Sequence, residues 1–336
     1  MIPKRKSEKI QGYFWGMLFG AVFLIVVVLP ALFLWKMKGE ESAKNHFATY
    51  QIDPAEDTVL SFQNSEKQNE IILSFANADA KMTDAEIACD IIGRRIYVTV
   101  PGRTNVENGI LEADITCVEA AYYSKSEDYT TFVFALRDYY ESQVISNRQQ
   151  VQILLSPISE INIPIIVIDI SNASEKIEEI ALLVQEELIP LDYYACIIGM
   201  EPKEQTPQQR IQFADEIGAS LYLRVEMAPE EDSGEARTTA FCNADYFLPK
   251  LNSVVLADCI EYHTVERLGG EPGGVVEYQE DDIELSIATI PACTIRLGYQ
   301  IDESGVCSAT MPEYTKLAAQ GISEGIVQAL NEENGD

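Results

Sequence analysis

Four polar residues of this 336-residue chain, Asn172, Glu175, Glu226 and Arg296, lie at or just beyond the ends of predicted strands. These positions matter because ligands of α/β proteins bind at the carboxyl ends of the strands. The first three offer oxygen donors for a hard cation, but Mg²⁺ and Ca²⁺ usually take more donors than these. Arg296 interrupts an apolar strand, and a guanidinium on the buried side of a sheet requires an anion.

The loop that carries Asn172 and Glu175 joins a predicted strand to a predicted helix. Ile165–Ile168 is a wholly apolar, β-branched run, typical of a parallel strand buried on both faces. From Glu175 to Leu188, apolar residues recur at helical spacing. The same residues also have a structural interpretation. Asn172 and Glu175 fit a helix N-cap with a capping-box-like partner, and Glu226 fits a solvent-facing strand end.

Three segments resemble the zinc-dependent N-acetylmuramoyl-L-alanine amidases, which cut the lactyl-peptide amide of peptidoglycan. IPIIVIDISNASEKIEE is similar to the family's strand, Asp-Pro-Gly-His-Gly-Gly loop and Glu-Lys helix start. QQRIQFADEIGASLYLRVEM is similar to its Arg-x-x-x-Ala-Asn helix and strand ending Ser-Ile-His-Ala-Asn. IPACTIRLGYQID is similar to Pro-Ala-x-Leu-Val-Glu-x-Gly-Phe-x-x-Asn. The matching residues are Asp169, Glu175, Lys176, Arg210, Ala214, Pro291, Ala292 and Gly298.

The resemblance covers about half the chain and implies an amidase-like, mostly parallel sheet flanked by helices over residues 163–331. It also implies that the site is degenerate. Asn172 stands at the first zinc histidine, Glu226 at the second, and Arg296 at the catalytic glutamate. Of the three zinc ligands only Glu175 survives. The resemblance therefore predicts no intact catalytic residue, no metal and no cofactor. Zinc enters only under the alternative of an active amidase with an altered metal site.

Histidine content supports this prediction. The chain has two histidines, His46 and His263, and neither falls on a zinc position. A catalytic zinc needs about three protein ligands, usually imidazoles with or without a carboxylate. His46 precedes both predicted domains, and His263 lies inside a predicted helix, where a surface or packing role is the common one.

Without a metal, Glu175 and Glu226 would repel each other in a partly dry cleft. Arg296 supplies a positive charge at the same place, and its planar guanidinium group can bind two carboxylates at once. We therefore predict a salt-bridge cluster of Arg296 with Glu226, Glu175 or both, as a fixed substitute for the metal.

The N-terminal segment predicts a single membrane crossing. Gly12–Trp35 holds 24 uncharged residues, about 36 Å as a helix against a hydrocarbon core of about 30 Å. Four basic residues precede it, so the positive-inside rule predicts a cytoplasmic N-terminus (1–11), a transmembrane helix (12–36) and extracytoplasmic domains. A cleaved signal peptide is the alternative, but the apolar run is too long and no small-x-small site follows closely.

The net charge of −30 is unevenly distributed. Residues 1–44 hold seven basic and three acidic residues, and the rest holds 17 basic against 51 acidic ones, a net of −34. Because residues 45–336 are this acidic, non-specific binding of the chain to nucleic acid or anionic polymers is excluded.

A stalk is predicted for residues 37–57 and a β-sandwich for residues 58–158, because short alternating strands separated by turn residues follow one another there. The order resembles an AMIN domain, which often precedes an amidase and targets it to peptidoglycan or the division site. The predicted strands are Thr58–Gln63, Glu70–Phe75, Ala85–Ile92, Arg94–Val100, Ile115–Tyr123, Thr130–Leu136 and Gln150–Leu155.

From residue 160 onward, strands and helices alternate, which predicts a mostly parallel sheet with helices on both faces. Strands are predicted at 165–169, 193–198, 220–226 and 292–297, and helices at 175–188, 206–217, 250–267 and 312–330. A hairpin-like pair is predicted at 274–279 and 283–289, and the loop Met227–Thr239 is predicted to cross the mouth of the site.

The seven cysteines form no CxxC pair and no zinc-finger spacing. Free buried thiols are the expected state. A Cys89–Cys117 disulfide is the alternative, since both fall in the predicted sandwich.

Together these features predict a membrane-anchored, cell-wall-associated bacterial protein. Its amidase-like domain is predicted to be non-catalytic and to act as a scaffold, regulator or peptidoglycan-binding protein in division, sporulation or wall remodelling. The expected partners are peptidoglycan or cell-wall proteins and the cytoplasmic membrane, and not nucleic acid. An active peptidoglycan amidase with an altered metal site, and a sugar- or peptide-binding module that kept the family's groove, are the alternatives.

Overall fold

The computed structural model describes residues 47–53, 58–65, 68–75, 85–101, 109–111, 116–125, 129–146, 150–171, 174–229, 236–245, 251–279, 282–301 and 304–334. The predicted cytoplasmic N-terminus (1–11) and transmembrane helix (12–36) lie outside these residues, as do His46 and Asn172. Within the described part of the chain, no helix is both long and apolar enough to cross a membrane.

The first half of the chain forms two antiparallel sheets. The strands are β1 Phe47–Asp53, β2 Thr58–Ser65, β3 Gln68–Phe75, β4 Glu86–Asp90, β5 Arg95–Pro101, β6 Gly109–Leu111, β7 Val118–Lys125, β8 Tyr129–Leu136, β9 Tyr140–Ser146 and β10 Gln150–Pro157. One sheet has the order β1-β2-β3-β10-β9 and the other β4-β5-β8-β7-β6. Apolar side chains from both sheets, such as Ile71, Phe134 and Ile153, form a single core. The predicted antiparallel sandwich is therefore present.

Three strands of this sandwich were not predicted: β1, β6 and β9. β1 lies inside the stretch predicted as a stalk, and it pairs antiparallel with β2. β9 is an edge strand with little buried surface, so its sequence YESQVIS lacks the apolar alternation that reveals a half-buried strand. β6 has only three residues, too few for any alternation to show.

The second half forms a six-stranded sheet with helices on both faces. Its strands are β11 Ile165–Asp169, β12 Tyr194–Ile198, β13 Leu221–Met227, β14 Thr238–Cys242, β15 Pro272–Glu277 and β16 Ala292–Leu297. Its helices are α1 Glu175–Leu188, α2 Pro207–Glu216, α3 Ser253–Leu268, α4 Ile283–Ile287 and α5 Tyr314–Asn334. The strand order is β12-β11-β13-β16-β14-β15. The first four are parallel, whereas β14 runs antiparallel to β16.

The sequence pattern explains the packing of the two faces. All five residues of β11 are buried, as the apolar run predicted. The buried residues of α1 are those of the predicted stripe, Ile177, Ile180, Ala181, Val184 and Leu188. They pack with α3 and α5 on one face of the sheet. The opposite face is covered by α2 and α4.

The predicted hairpin at 274–279 and 283–289 is wrong. β15 pairs in parallel with β14, a strand that was not predicted, and residues 283–287 form helix α4. Ile283, Leu285 and Ile287 alternate as in a strand, but the buried residues of α4 are the adjacent pair Glu284 and Leu285. Neighbouring residues point to opposite faces of a strand, whereas in a helix they are only about 100° apart, so both can be buried.

The sandwich and the α/β domain share a packed boundary. Ile92, from the β4–β5 turn, and Ile158, after β10, are buried in the same cluster as Phe213 of α2. The Tyr139 ring meets the Phe213 ring edge to face at 5.0 Å, and its hydroxyl donates to Glu216 Oε2 at 2.5 Å. The sandwich is therefore fixed against α2 through both apolar and polar contacts.

All seven cysteines are free thiols, so the alternative Cys89–Cys117 disulfide is not formed. Burial raises the pKa of Cys117 to about 11 and that of Cys196 to about 12. Both thiols are therefore protonated at neutral pH and poorly nucleophilic.

Candidate functional site

The predicted site residues Glu226 and Arg296 lie at the carboxyl edge of the six-stranded sheet. β13 and β16 are parallel neighbours, and their register places Glu226 directly beside Arg296. Side chains alternate across a strand, so both residues point to the face that α2 and α4 cover. The strand register, rather than any loop, therefore brings these two side chains together.

Arg296 and Glu226 form an ion pair. The Nε and Nη2 atoms of Arg296 lie 2.7 Å and 2.6 Å from Glu226 Oε1. The guanidinium also stacks over Phe241, 4.5 Å from the ring centroid. The two charged side chains are 31% and 27% exposed, so the pair borders solvent. An open groove of about 740 Å³, lined in part by Arg296, Phe241 and Gln300, adjoins it.

Glu175 is not brought into this pair. It is the first residue of α1 and is exposed, and among the described ion pairs none joins it to Arg296. The N-cap of α1 is Ser174 rather than Asn172, so the capping-box interpretation of Asn172 and Glu175 is wrong. With Ser174 as the N-cap, Glu175 is the first helical residue, whereas a capping box places its glutamate at the third.

The Arg296–Glu226 pair is one end of a longer arrangement, which we call the charged row: Asp169, Arg210, Glu284, Arg224, Glu226 and Arg296. Acidic and basic side chains alternate along it, and its formal charge is zero. Arg210 Nε lies 2.9 Å from Asp169 Oδ2, and Arg210 also binds Glu284. Arg224 Nη1 lies 3.6 Å from Glu284 Oε1, and Arg224 Nε lies 4.0 Å from Glu226 Oε2.

The Asp169 end of the charged row is the most deeply buried. The side chain of Asp169 is fully buried and accepts hydrogen bonds from the Tyr222 hydroxyl and from the Ser171 backbone N–H at 2.8 Å. Burial, together with the Asp169 charge, raises the pKa of Tyr222 well above its usual value. Burial alone would lower the pKa of Arg210, but Asp169 and Glu284 raise it. This end is therefore a fixed ion-pair network with little access to solvent.

Sequence reasoning missed Arg224, Glu284 and Asp282 at this site. The run Tyr222, Arg224, Glu226 did carry a signal, because polar residues at every second position of an otherwise apolar strand share one face. Asp282 precedes α4 and lies near the middle of the charged row. Burial raises its pKa to about 6; the Arg224 charge lowers this pKa, whereas the charges of Glu284 and Glu226 raise it.

The residues present do not fit a catalytic zinc. Glu226 forms an ion pair with Arg296, and the positive charge of Arg296 would repel a metal cation. Glu175 points to solvent. His263 lies on α3, with Nε2 2.6 Å from Gln328 Oε1, so it packs against α5 rather than facing the charged row. Among the residues that the structure describes, no three His, Cys, Asp or Glu side chains are grouped so that they could hold a metal ion.

Comparison with known proteins gives likenesses of structure only. Solved N-acetylmuramoyl-L-alanine amidases are among the structures to which this chain is similar, each over about half its length. AmiC2 of Nostoc punctiforme shares 15% identity, with 50% of this chain and 97% of that one covered and a TM-score of 0.42. An amidase from Clostridium difficile 630 shares 17%, with 51% and 98% covered and a TM-score of 0.43. The CwlD amidase from Clostridioides difficile, solved in complex with the GerS lipoprotein, shares 15%, with 50% and 98% covered and a TM-score of 0.39. No protein-family model and no curated protein matches the chain.

The Arg296–Glu226 pair is partly exposed, so its contribution to the free energy of unfolding is expected to be small. We expect Arg296→Ala to lower the free energy of unfolding by about 1 kcal/mol, because exposed ion pairs and cation–π contacts each contribute about 1 kcal/mol or less. Urea denaturation of the full chain measures it. A double-mutant cycle with Glu226→Gln separates the pair from the Phe241 contact. Strictly additive effects of the two substitutions would show that the pair contributes nothing.

Proposed function

We propose that this chain is a membrane-anchored, cell-wall-associated bacterial protein whose amidase-like domain does not catalyse amide hydrolysis. In this proposal the domain acts as a scaffold, a regulator or a peptidoglycan-binding protein, preceded by an AMIN-like sandwich. The membrane anchor rests on the apolar, uncharged run of residues 12–35 and on the basic residues before it. The amidase-like character rests on the three sequence segments whose strands end at the carboxyl edge of the sheet.

The observation that carries the proposal is the ion pair between Arg296 and Glu226. The resemblance places a zinc histidine and the catalytic glutamate at these two positions, and here they hold a guanidinium and its counter-ion. Zinc-dependent amide hydrolysis needs a Lewis acid and a carboxylate base at these positions. A guanidinium keeps its proton in proteins, so it cannot act as that base.

A ligand-binding role is supported by the groove beside the charged row. This groove of about 740 Å³ is open to solvent, and its wall offers Arg296, Thr239 and Gln300 for hydrogen bonding. Glycan strands and peptides present many hydroxyl and amide groups, which such side chains recognise. In the proposal the groove keeps a binding function after the loss of hydrolysis.

The test uses the full chain, purified in mild detergent. After incubation with Zn²⁺ and dialysis, we expect well under one zinc per chain by elemental analysis, and no muropeptide release from purified peptidoglycan. Co-sedimentation with insoluble peptidoglycan is expected to retain the chain in the pellet. A working zinc amidase treated identically is the positive control. Stoichiometric zinc together with muropeptide release would overturn the non-catalytic proposal, and failure to sediment would remove the peptidoglycan-binding role.

A further inference from the structure

The groove beside the charged row has two arginines in its wall, Arg237 and Arg296. Arg296 of β16 lies directly opposite Thr239 in the antiparallel ladder with β14, and Arg237 precedes Thr239 by two residues. Alternate residues of a strand share a face, and diagonal neighbours of this kind are about 7–8 Å apart, a distance that two guanidinium groups can span. The two arginines therefore face the same open space.

Two arginines in one groove stand out because the α/β domain is strongly acidic. Residues 160–336 contain nine Lys and Arg residues against 34 Asp and Glu residues, a net charge of −25. Two of the nine line this groove, together with a single carboxyl group, that of Glu271. Glu226 adjoins the groove through its pair with Arg296, so the local charges balance rather than being strongly negative. A ligand in the groove thus meets two of the few cations of the domain.

Arg296 is held so that one edge of its guanidinium remains available. Its Nε and Nη2 lie 2.7 Å and 2.6 Å from one oxygen of Glu226, and the ring of Phe241 stacks against its face. These contacts engage two of the five N–H groups of the guanidinium. Among the described residues no acceptor is bonded to Nη1, and the side chain is partly exposed. The outer edge, formed by Nη1 and Nη2, is therefore held in place and lies in the groove wall.

Arg237 is held more loosely than Arg296. Its Nη2 lies 3.5 Å from Glu271 Oε2, and both side chains are mostly exposed. Exposed pairs of this kind contribute little free energy, so Arg237 can turn toward a ligand at small cost. The rest of the wall is less polar and includes Pro229 and Val276.

We propose that this groove binds a peptide by its C-terminal carboxylate, which accepts two hydrogen bonds from the outer edge of Arg296 and pairs with Arg237. A guanidinium and a carboxylate are both planar, and two donors of the one match the two oxygens of the other. Gln300 offers its amide to the peptide backbone, while Pro229 and Val276 offer apolar contacts to its side chains. Such binding deepens the role proposed above for the groove, on which it rests, by naming the chemical group that is recognised.

The test titrates the full chain, in mild detergent at neutral pH, with N-acetyl-alanyl-alanine by isothermal titration calorimetry, using the L,L and the D,D isomer in turn. The matched control is N-acetyl-alanyl-alanine amide, which has the same length but no charge. We expect one site per chain, at which the better isomer of the free acid binds at least about tenfold more tightly than its amide, because hydrogen bonds between charged groups are the stronger ones. D-Glucuronate and inorganic phosphate, which carry an anion without a peptide, are expected to bind more weakly than the dipeptide.

Three variants assign the site. Arg296→Gln is expected to weaken binding of the dipeptide about tenfold. Arg296→Lys is expected to weaken it nearly as much, because lysine keeps the charge but not the planar pair of donors. Arg267→Gln removes an arginine that pairs with Glu324 on α3 and α5, at the opposite face of the sheet, and is expected to leave binding unchanged.

Four results would overturn the proposal: equal binding of the amide, tighter binding of glucuronate or phosphate, full binding by both Arg296 variants, or no binding of the dipeptide. Residues 230–235, which connect Pro229 to Ala236, contain four acidic residues. If their carboxyl groups already occupied the two arginines, then the dipeptide would not bind.

Co-sedimentation with peptidoglycan, measured on the same preparations, separates this failure from failure of the proposed function. A chain that sediments but does not prefer the free carboxylate keeps the proposed peptidoglycan-binding role and loses only the carboxylate site. A chain that binds the dipeptide but does not sediment keeps the site and loses that role.

Discussion

Replacing Arg210 with methionine is expected to lower the free energy of unfolding of the full chain by about 3–5 kcal/mol, since breaking a buried ion pair strands the partner charge. Arg210 is the cation that Asp169 and Glu284 share, and the three side chains are 8%, 0% and 3% exposed. Methionine fills a similar volume but donates no hydrogen bond. The substitution therefore leaves the buried Asp169 carboxylate without its counter-ion, and it leaves Glu284 with only the contact to Arg224 at 3.6 Å.

The effect is measured by urea denaturation, with Arg237→Met as the matched control. Arg237 pairs with Glu271 at 3.5 Å, but the two side chains are 66% and 78% exposed. We expect this control to change stability by less than about 0.5 kcal/mol. Equal losses for the two arginine variants would show that the charged row contributes no more than a surface pair.

A third variant separates a lost attraction from stranded charges. Arg210→Met combined with Asp169→Asn and Glu284→Gln removes all three charges, one positive and two negative, rather than one of them. Replacing a buried ion network as a unit often costs little stability. We therefore expect the combined variant to regain most of the stability that Arg210→Met loses. If the combined variant is less stable than Arg210→Met alone, then the two carboxylates that Arg210→Met retains are well solvated. The argument from burial then fails.

Local pattern was sufficient for the elements whose apolar residues follow an unambiguous pattern. The run Ile165–Ile168 is wholly apolar, and the stripe of α1 has helical spacing, so strand and helix could be predicted with their buried residues. β9 and α4 could not be predicted. β9 is exposed along most of its length, and α4 shows strand-like alternation over only five residues.

The contacts of the site likewise include some that could be predicted from the sequence and some that could not. Glu226 and Arg296 could be paired in advance because parallel strands of a sheet end at one edge and the resemblance supplied the positions. The structure places them beside each other, while Glu175 points away. The contact between Arg210 and Glu284 spans 74 residues and joins two helices. No local pattern encodes such a contact, because it arises from the packing of α2 on α4.

Asp282 gives the charged row a pH dependence of defined sign. Its pKa is raised from 3.8 to about 6, first by burial and then by the charges of Glu284 and Glu226, against the opposing effect of Arg224. The folded state therefore holds this proton more tightly than the unfolded state does. Stability contributed by the protonated group is present below about pH 4 and is lost as pH rises through about pH 6.

Asp282→Asn removes this titration and keeps an acceptor of the same shape. We expect the variant to be more stable than the natural chain near pH 7.5 by about 1–2 kcal/mol. Each unit of pKa shift corresponds to about 1.4 kcal/mol, and solvent screening reduces the effect for this partly exposed group. Near pH 4 and below, both carry a neutral side chain at this position, and their stabilities are expected to converge. Urea denaturation of the full chain at about pH 4, 5, 6 and 7.5 measures the difference.

The matched control is Asp258→Asn, which neutralises an exposed carboxyl on α3, far from α4 in the chain. Surface substitutions usually change stability by less than about 0.5 kcal/mol, so this variant is expected to follow the natural chain at each pH. An Asp282→Asn gain that is constant with pH would point to a packing effect rather than to titration. A loss of stability near pH 7.5 would show instead that the Asp282 charge is favourable, with the pairing to Arg224 outweighing both burial and the two neighbouring glutamates.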